Sequence, residues 1–365
     1  MAVPFDLARL EVTGGPIGIL DDVMQAVNTR GGGVDSGAAQ FSVSQTGTLV
    51  YLPGGVFPDA DVSMLWVDRN GAAMPLPVAP RNLVGLRLSP DGERVAFWTS
   101  GTNRNVWVYE ISRGALSRLT PEGQNGRSVW SADGERVTFD FTTAGRQNVY
   151  WKAADGSSAA ERLTTDERSQ LPSSWSPDGK TLAFIQMSTG TNADIWTLSL
   201  ADGVAKSRPF LETPYSERYP EFSPDGRWIA YVSNESGRDQ VYVQPYPGPG
   251  ARHQVSTDLG SAPLWARSGR ELFYIARPAA TGFNRMMAVD VTLGATFTAG
   301  KPRMLFEGQY PLTGTVRGYD VSPDGRRFLL FQFKEEAPAP AITEVVMVQN
   351  WFEELQRKVP AGGRK

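Results

Sequence analysis

Cysteine is absent and histidine occurs once, at His253. Disulfides, thiolate metal sites and cysteine nucleophiles are therefore excluded, as are cages built from several imidazoles. No metal and no cofactor is expected. No apolar run approaches the roughly 18 residues that a membrane-spanning helix needs. An excess of one charge is missing too. Lys plus Arg number 36 against 39 Asp plus Glu, a net charge of -3, which leaves no basic footprint for nucleic acid. The start, Met1-Ala2-Val3-Pro4-Phe5-Asp6, lacks the basic and apolar regions of a secretory signal.

What is abundant is turn chemistry. The chain has 365 residues, with 38 Gly and 26 Pro spread along it rather than pooled in one linker. A single core stops growing near roughly 250–300 residues, so two domains or a repeat array are expected. The phrase Ser-Pro-Asp-Gly stands at Ser89–Gly92, Ser176–Gly179, Ser223–Gly226 and Ser322–Gly325, with degenerate copies at Ser131–Gly134, Ala266–Gly269 and Ser44–Gly47. The seven glycines, 47, 92, 134, 179, 226, 269 and 325, are 45, 42, 45, 47, 43 and 56 apart, the period of a propeller blade.

Each copy is flanked alike. An apolar residue lies four before the glycine: Val43, Leu88, Trp130, Trp175, Phe222, Trp265 or Val321. Alternation follows, as in Val95 and Phe97, Val137 and Phe139, or Ile229 and Tyr231, which is the pattern of a hairpin. A third strand comes next: Met64–Val67, Val106–Tyr109, Val149–Trp151, Ile195–Leu198, Val241–Val243, Met286–Val289 and Val345–Val348. A weaker fourth follows in most units, such as Leu116–Thr120 and, in the first unit, Met74–Pro77. Four antiparallel strands repeated in this way describe an all-β propeller. Seven blades are expected, with six or eight open beside that count.

The propeller is expected over residues 1–350. A strand near 16–20 should complete the last blade, which otherwise has only three strands, and so remove both sheet edges. Met1–Phe5 reads as a third strand whose slot Val345–Val348 already fills. Either it pairs loosely at the seam, or Met1 is an internal start within a longer parent. Residues 351–365 are expected as a helix and tail, with Asn350 and Glu353 as a capping box and Trp351, Phe352 and Leu355 as the buried stripe.

The Ser-Pro-Asp-Gly hairpins and their Ile/Val-aromatic third strands resemble the WD40-like (PD40) repeats of the TolB propeller superfamily. Over essentially its whole length the chain resembles the C-terminal propeller of bacterial eukaryotic-like serine/threonine protein kinases. The matching stretches include Phe5–Gly14, Tyr150–Gly156, Ser233–Arg238, Tyr319–Arg327 and Asn350–Leu355. That resemblance implies a kinase domain and a membrane helix ahead of the propeller, and an extracytoplasmic, periplasmic location. This chain carries neither part, so phosphotransfer is not carried over.

No catalytic constellation is visible, and the chain is expected not to be an enzyme. Asp-Phe-Gly is absent, and Arg252-His253-Gln254-Val255 is no catalytic loop. Gly31-Gly32-Gly33 has no strand–helix context and reads as a loop. His253 falls on an outer strand, as a surface or half-buried residue. The repeated Asp91, Asp133, Asp178, Asp225 and Asp324 read as turn caps, each in its own blade and unable to converge on one ion.

Binding is expected on the channel-mouth face. Loops between outer and inner strands would gather Arg81, Arg127, Glu217, Arg218, Tyr219, Arg317 and Tyr319 there. Loops between second and third strands would add Asn103, Arg104, Arg146, Asn192, Arg238 and Asn284. Arg, Asn and Tyr suit polar recognition. A protein or peptide is the expected partner, with a small polar ligand beside it. Two functions follow: a binding or sensor module of a membrane kinase, or, as the alternative, a stand-alone TolB-like periplasmic interaction scaffold.

Overall fold

The computed structural model describes residues 2–15, 17–21, 23–24, 39–53, 62–79, 82–99, 104–120, 123–143, 145–188, 192–201, 204–277, 283–310, 316–333 and 344–359. The chain divides into two compact units, Ala60–Lys334 and a second made of Met1–Asp59 with Glu335–Lys365. Arg81, Asn103, Gly31-Gly32-Gly33 and Met1 lie outside the described residues, as does the side chain of Asn192.

All seven expected hairpins form. Six of them head antiparallel sheets in Ala60–Lys334. Blade 1 runs Leu83–Leu88, Arg94–Thr99, Val106–Glu110, Ala115–Arg118. Blade 2 runs Asn125–Trp130, Arg136–Thr143, Arg146–Ala153, Glu161–Arg162. Blade 3 runs Gln170–Trp175, Thr181–Ser188, Asn192–Ser199, Lys206–Leu211. Blade 4 runs Glu217–Phe222, Trp228–Ser233, Gln240–Pro245, His253–Gln254. Blade 5 runs Gly260–Trp265, Glu271–Ala276, Asn284–Thr292, Arg303–Gly308, with Thr298–Ala299 as an extra edge. Blade 6 joins Tyr319–Val321 and Arg327–Phe333 to Val62–Asp68 and Ala73–Pro75.

The repeated phrase has a bonding pattern that explains it. The serine hydroxyl donates to the aspartate, at 2.5 Å in Ser131–Asp133, Ser176–Asp178 and Ser322–Asp324. It accepts from the backbone N–H five residues on, as in Thr181 N–H to Ser176 Oγ at 3.0 Å. The aspartate caps the N–H two residues ahead, as in Lys180 to Asp178 at 3.1 Å. Glycine closes the turn with φ near 70° in Gly179, Gly226, Gly269 and Gly325, a left-handed conformation that side chains resist. The proline works across blades. A Cβ on Gly92 would lie 2.7 Å from Pro323, on Gly134 3.2 Å from Pro90, and on Gly226 3.4 Å from Pro177. These three turn glycines therefore face the turn proline of the blade before them, and the Pro323–Gly92 contact carries that order from blade 6 back to blade 1.

Second strands supply the core. Val95 and Phe97, Val137 and Phe139, Leu182 and Phe184, Ile229 and Tyr231, Leu272 and Tyr274, and Phe328 and Leu330 are all buried. Residues on the opposite face, such as Ala96, Ala183, Ala230, Phe273 and Leu329, are buried as well, because each blade is covered on both sides by its neighbours. Inner-strand tryptophans tie blades together. Trp130 Nε1 donates to Arg87 O at 2.9 Å, and Trp265 Nε1 to Glu221 O at 3.1 Å.

Ring closure differs from expectation. The last hairpin takes its third strand from Val62–Asp68, and Ala73–Pro75 is the fourth. Residues 17–20, the described part of that segment, do not complete it; Ile17 pairs with Ala2 instead. Conversely, Val346–Val348 pairs with Leu49–Tyr51 of the first hairpin, so the first and last units exchange third strands. Length gives the physical reason. Arg327–Phe333 and Val62–Asp68 match over seven residues, whereas Leu49–Tyr51 offers three. The longer ladder satisfies more backbone groups and closes the six-blade ring by hydrogen bonds. Seven repeats are thus present, six of them as blades of Ala60–Lys334.

The other unit holds the seventh hairpin, Phe41–Val43 with Leu49–Tyr51, in a three-stranded sheet with Val346–Val348. A short hairpin pairs Phe5–Asp6 with Glu11–Val12. The terminal helix, Trp351–Lys358, forms as expected, but not through a capping box. Asn350 is left-handed, with φ 54°, and makes no side-chain cap. The helix is instead anchored by Trp351 N–H donating to Gly47 O at 2.7 Å. Trp351 is buried, Leu355 half-buried, and Phe352 exposed.

Candidate functional site

The inner strands of the six blades line the centre of the ring, and five of them are bulged; the sixth, Tyr319–Val321, pairs in regular register. In blades 1 to 5 the register shifts at Val84/Arg87, Gly126/Val129, Pro172/Ser174, Arg218/Glu221 and Ser261/Leu264. A bulge re-aims side chains beside it. Arg127 and Tyr219 sit at these bulges with φ of 37° and 56°, unusual for residues with a Cβ.

A charged network crosses the centre. Arg87 of blade 1 donates through Nη2 to Glu221 Oε2 of blade 4 at 3.2 Å, and to Ser173 O of blade 3. Arg317 donates through Nη2 to the same Glu221 oxygen at 2.8 Å and to Pro263 O at 2.7 Å. Tyr319 OH donates to Ala262 O at 2.7 Å. Asp320 accepts from Leu88 N–H at 2.9 Å and Val321 N–H at 2.8 Å. Arg267 donates to Ser89 O at 3.1 Å. A cavity of about 40 Å³ opens among Arg87, Arg127, Ser128, Ser173, Tyr219 and Arg317.

Burial dominates the electrostatics. It pushes Glu221 up to about 7, against the pull of Arg87 and with help from the Asp320 charge. It raises Asp320 and Asp140, opposed by Arg87 and Arg127 respectively. It lowers Arg127, which Asp140 supports. Tyr219 is pushed up to about 12, again by burial. These shifts reflect charges removed from water in an imperfectly compensated network.

The expected mouth residues divide into two groups. Glu217, Tyr219, Asn284, Arg317 and Tyr319 are buried rather than displayed. Glu217 accepts from Thr213 Oγ1 at 2.6 Å and Ser233 Oγ at 3.3 Å, and burial lifts it to about 7. Asn284 donates to Tyr310 O at 2.7 Å. The others are more accessible, and several tie a second–third strand loop to the segment entering the next blade. Arg104 donates to Gln124 Oε1 at 2.7 Å, Arg146 pairs with Glu167 at 3.6 Å, and Arg238 donates to Thr257 O at 3.4 Å. Arg218 pairs with Asp239 at 2.6 Å within blade 4. Of the expected set, Arg127, Tyr219 and Arg317 come together, around the cavity.

Arg87, Glu221, Asp320 and Arg267 escaped the sequence reading. A signal existed for three of them: Arg87, Glu221 and Asp320 each stand two before the repeat serine, where other copies carry Val129, Ser174 or Leu264. An ionisable residue there interrupts an otherwise apolar or small position. His253 is half-buried on the outer strand of blade 4, against Trp228 and Phe297. Among the described residues, no group of three or more acidic or histidine side chains could hold a metal ion, and no helix is long and apolar enough to cross a membrane.

Comparison with known proteins places the repeat. Residues 79–207 match the family described as the TolB beta propeller domain. Over 189 residues, 49% of this chain, it is 27% identical to the Tol-Pal system protein TolB of Francisella tularensis subsp. tularensis (strain WY96-3418). Over 194 residues, 50% of this chain, it is 26% identical to the uncharacterized peptidase YuxL of Bacillus subtilis (strain 168). These matches span only 43% and 27% of the two relatives' own lengths. Among solved structures, a putative TolB from Agrobacterium tumefaciens is similar in fold, with a TM-score of 0.62 and 18% identity over 76% of this chain and 99% of that one. The propeller fold and a PD40-type repeat over 79–207 are what these likenesses establish.

Proposed function

We propose that this chain is a non-catalytic, TolB-like interaction scaffold that docks a protein or peptide on the channel-mouth end of its ring, outside the cytoplasm. The observation that carries the reading is the match of residues 79–207 to the TolB propeller domain. The mouth end supports it. Arg146 and Arg238 are exposed there, and Arg104 is half-buried beside the entry to blade 2. Such residues suit polar rims around a docked segment. A kinase attachment, the other expectation from sequence, gains no support from the likenesses above, whereas the scaffold does.

The test is site-specific photo-crosslinking in source cells. A photoreactive residue placed at Arg104, Arg146 or Arg238 should yield one common adduct. The same residue at Glu93 or Arg326, in the turns at the other end of the inner strands, should not. Adducts independent of position, or formed only from the turn end, would reject the mouth as the docking face. Fractionation of the same cells checks location: a wholly cytoplasmic chain contradicts the reading.

A further inference from the structure

We infer that the centre of the ring holds a binding site for one carboxylate group, seated among Arg317, Ser128, Arg87 and Arg127. This goes beyond the scaffold reading, because the site lies inside Ala60–Lys334 and can be filled by a small acid with no protein docked. Three observations carry it.

The first is unmet hydrogen bonding. Arg317 is 5% exposed and bonds only through Nη2; its Nε and Nη1 have no acceptor. Ser128, 4% exposed, has a hydroxyl with no partner. Both residues line the same cavity. A buried guanidinium seeks an acceptor for every N–H, so these donors mark a place where an anionic oxygen belongs.

The second is charge. Around the centre, Arg87, Arg104, Arg127, Arg267 and Arg317 face Asp140, Glu221 and Asp320. Cations outnumber carboxylates there, which leaves positive charge for an anion. Asp320 spends both oxygens on backbone N–H groups, and Glu221 serves two arginines through a single oxygen. Neither reaches the open donors of Arg317.

The third is size. One water needs about 10–15 Å³ of such space, so a cavity of about 40 Å³ takes roughly three water-sized atoms, the three heavy atoms of a carboxylate. Guanidinium and hydroxyl donors together suit its two oxygens.

Two sources share this chemistry: a free small acid, and the C-terminal carboxylate of a peptide entering from the mouth. The experiment titrates the full chain by calorimetry with sodium formate against sodium chloride at equal ionic strength. It then uses a short peptide with a free C-terminus against the same peptide amidated. Saturable formate binding absent with chloride supports the site and a free acid. Binding of the free-terminus peptide but not the amide supports the site and a peptide source. Arg317→Gln should weaken whichever ligand binds by tenfold or more. Because that change also disturbs Glu221, Ser128→Ala is the second variant; it leaves the charges intact and should weaken binding severalfold, with the circular dichroism unchanged. Equal responses to formate and chloride together with equal responses to both peptides would overturn the proposal. Affinity unaffected by Ser128→Ala and Arg317→Gln would do the same.

Discussion

The two ends of each inner strand are built on opposite rules. At the turn end the same atoms recur from blade to blade. A serine hydroxyl meets an aspartate, and the same aspartate oxygen caps a backbone N–H. At the channel end each blade contributes something different: Arg87, Arg127, Ser173, Glu221, Pro263 and Arg317. There donors are left over and carboxylates are pushed up. Repetition marks what the fold needs, and departure from repetition marks what the centre does. The aspartates show this in one property. In Asp133, Asp178 and Asp324 the serine hydrogen bond is the leading cause of a lowered pKa, whereas burial raises Glu221 to about 7.

The largest test breaks the channel end. Arg317→Met removes two hydrogen bonds and leaves Glu221 with Arg87 as its remaining guanidinium partner. Removing one partner of a buried charge pair costs about 3–5 kcal/mol. The urea midpoint should fall accordingly at pH 8. It should fall less at pH 6, where Glu221 is largely protonated and its lost partner matters less. An equal loss at both values would show that Glu221 is ionised throughout, and would erase the contrast with the turn aspartates.

Next comes the pH dependence of the intact chain. Glu221 has a folded pKa, about 7, above its ordinary value of 4.5. The folded state then binds the proton more tightly than the unfolded one. Its contribution is fully present below pH 4.5 and is lost as pH rises through about 7, by up to about 3 kcal/mol. Glu217, also raised to about 7, slopes the same way. The turn aspartates slope oppositely: their contribution is present above the ordinary carboxylate value and is lost as pH falls through their lowered folded values. Denaturation followed from pH 4.5 to 8 should show stability declining, and Glu221→Gln should flatten part of that decline. A decline unchanged in Glu221→Gln assigns it elsewhere.

At the turn end, Asp178→Ala deletes an acceptor for Ser176 Oγ and for Lys180 N–H. The turn is solvent-accessible on one side, so the loss should be about 1–2 kcal/mol. Asp133→Ala should cost the same, since its bonds are the same. Unequal costs would mean that the copies are not equivalent.

The same division explains what could be read from sequence. The hairpins were legible because a serine, an aspartate and a glycine at fixed spacing can make only one economical turn, and because Val-x-Phe alternation follows it. Ring closure was not. Met64–Val67 and Val345–Val348 are both short apolar strands, and nothing local says which hairpin each joins; the seven-residue match of Val62–Asp68 to Arg327–Phe333 decides it only in three dimensions. The centre was half legible. Arg127, Tyr219 and Arg317 were placed near it by loop position, but as a displayed face. That the bulges set Arg127 and Tyr219 around one cavity with Arg87 depends on left-handed backbone at both residues that residue type does not announce.

The smallest effects lie within the repeat itself, where the glycines should not be equal. Each turn glycine is left-handed, so alanine costs roughly 1–2 kcal/mol at any of them. What differs is the neighbouring blade. A Cβ on Gly179 would meet Ala132 at 3.7 Å, ordinary contact, because the second copy carries alanine where the phrase has proline. On Gly226 it would meet Pro177 at 3.4 Å, on Gly134 Pro90 at 3.2 Å, and on Gly92 Pro323 at 2.7 Å, which forces a shift. Thermal midpoints of the four alanine variants should therefore fall in the order Gly179, Gly226, Gly134, Gly92, with Gly92→Ala the most damaging. The Gly92 contact also joins the last blade to the first, so its excess cost measures the ring closure directly. Restoring room with Pro323→Ala in the Gly92→Ala background should recover that excess and leave the backbone cost behind. If the four variants melt together, the turn prolines do not transmit contact between blades, and the repeat's proline is explained by its own turn alone.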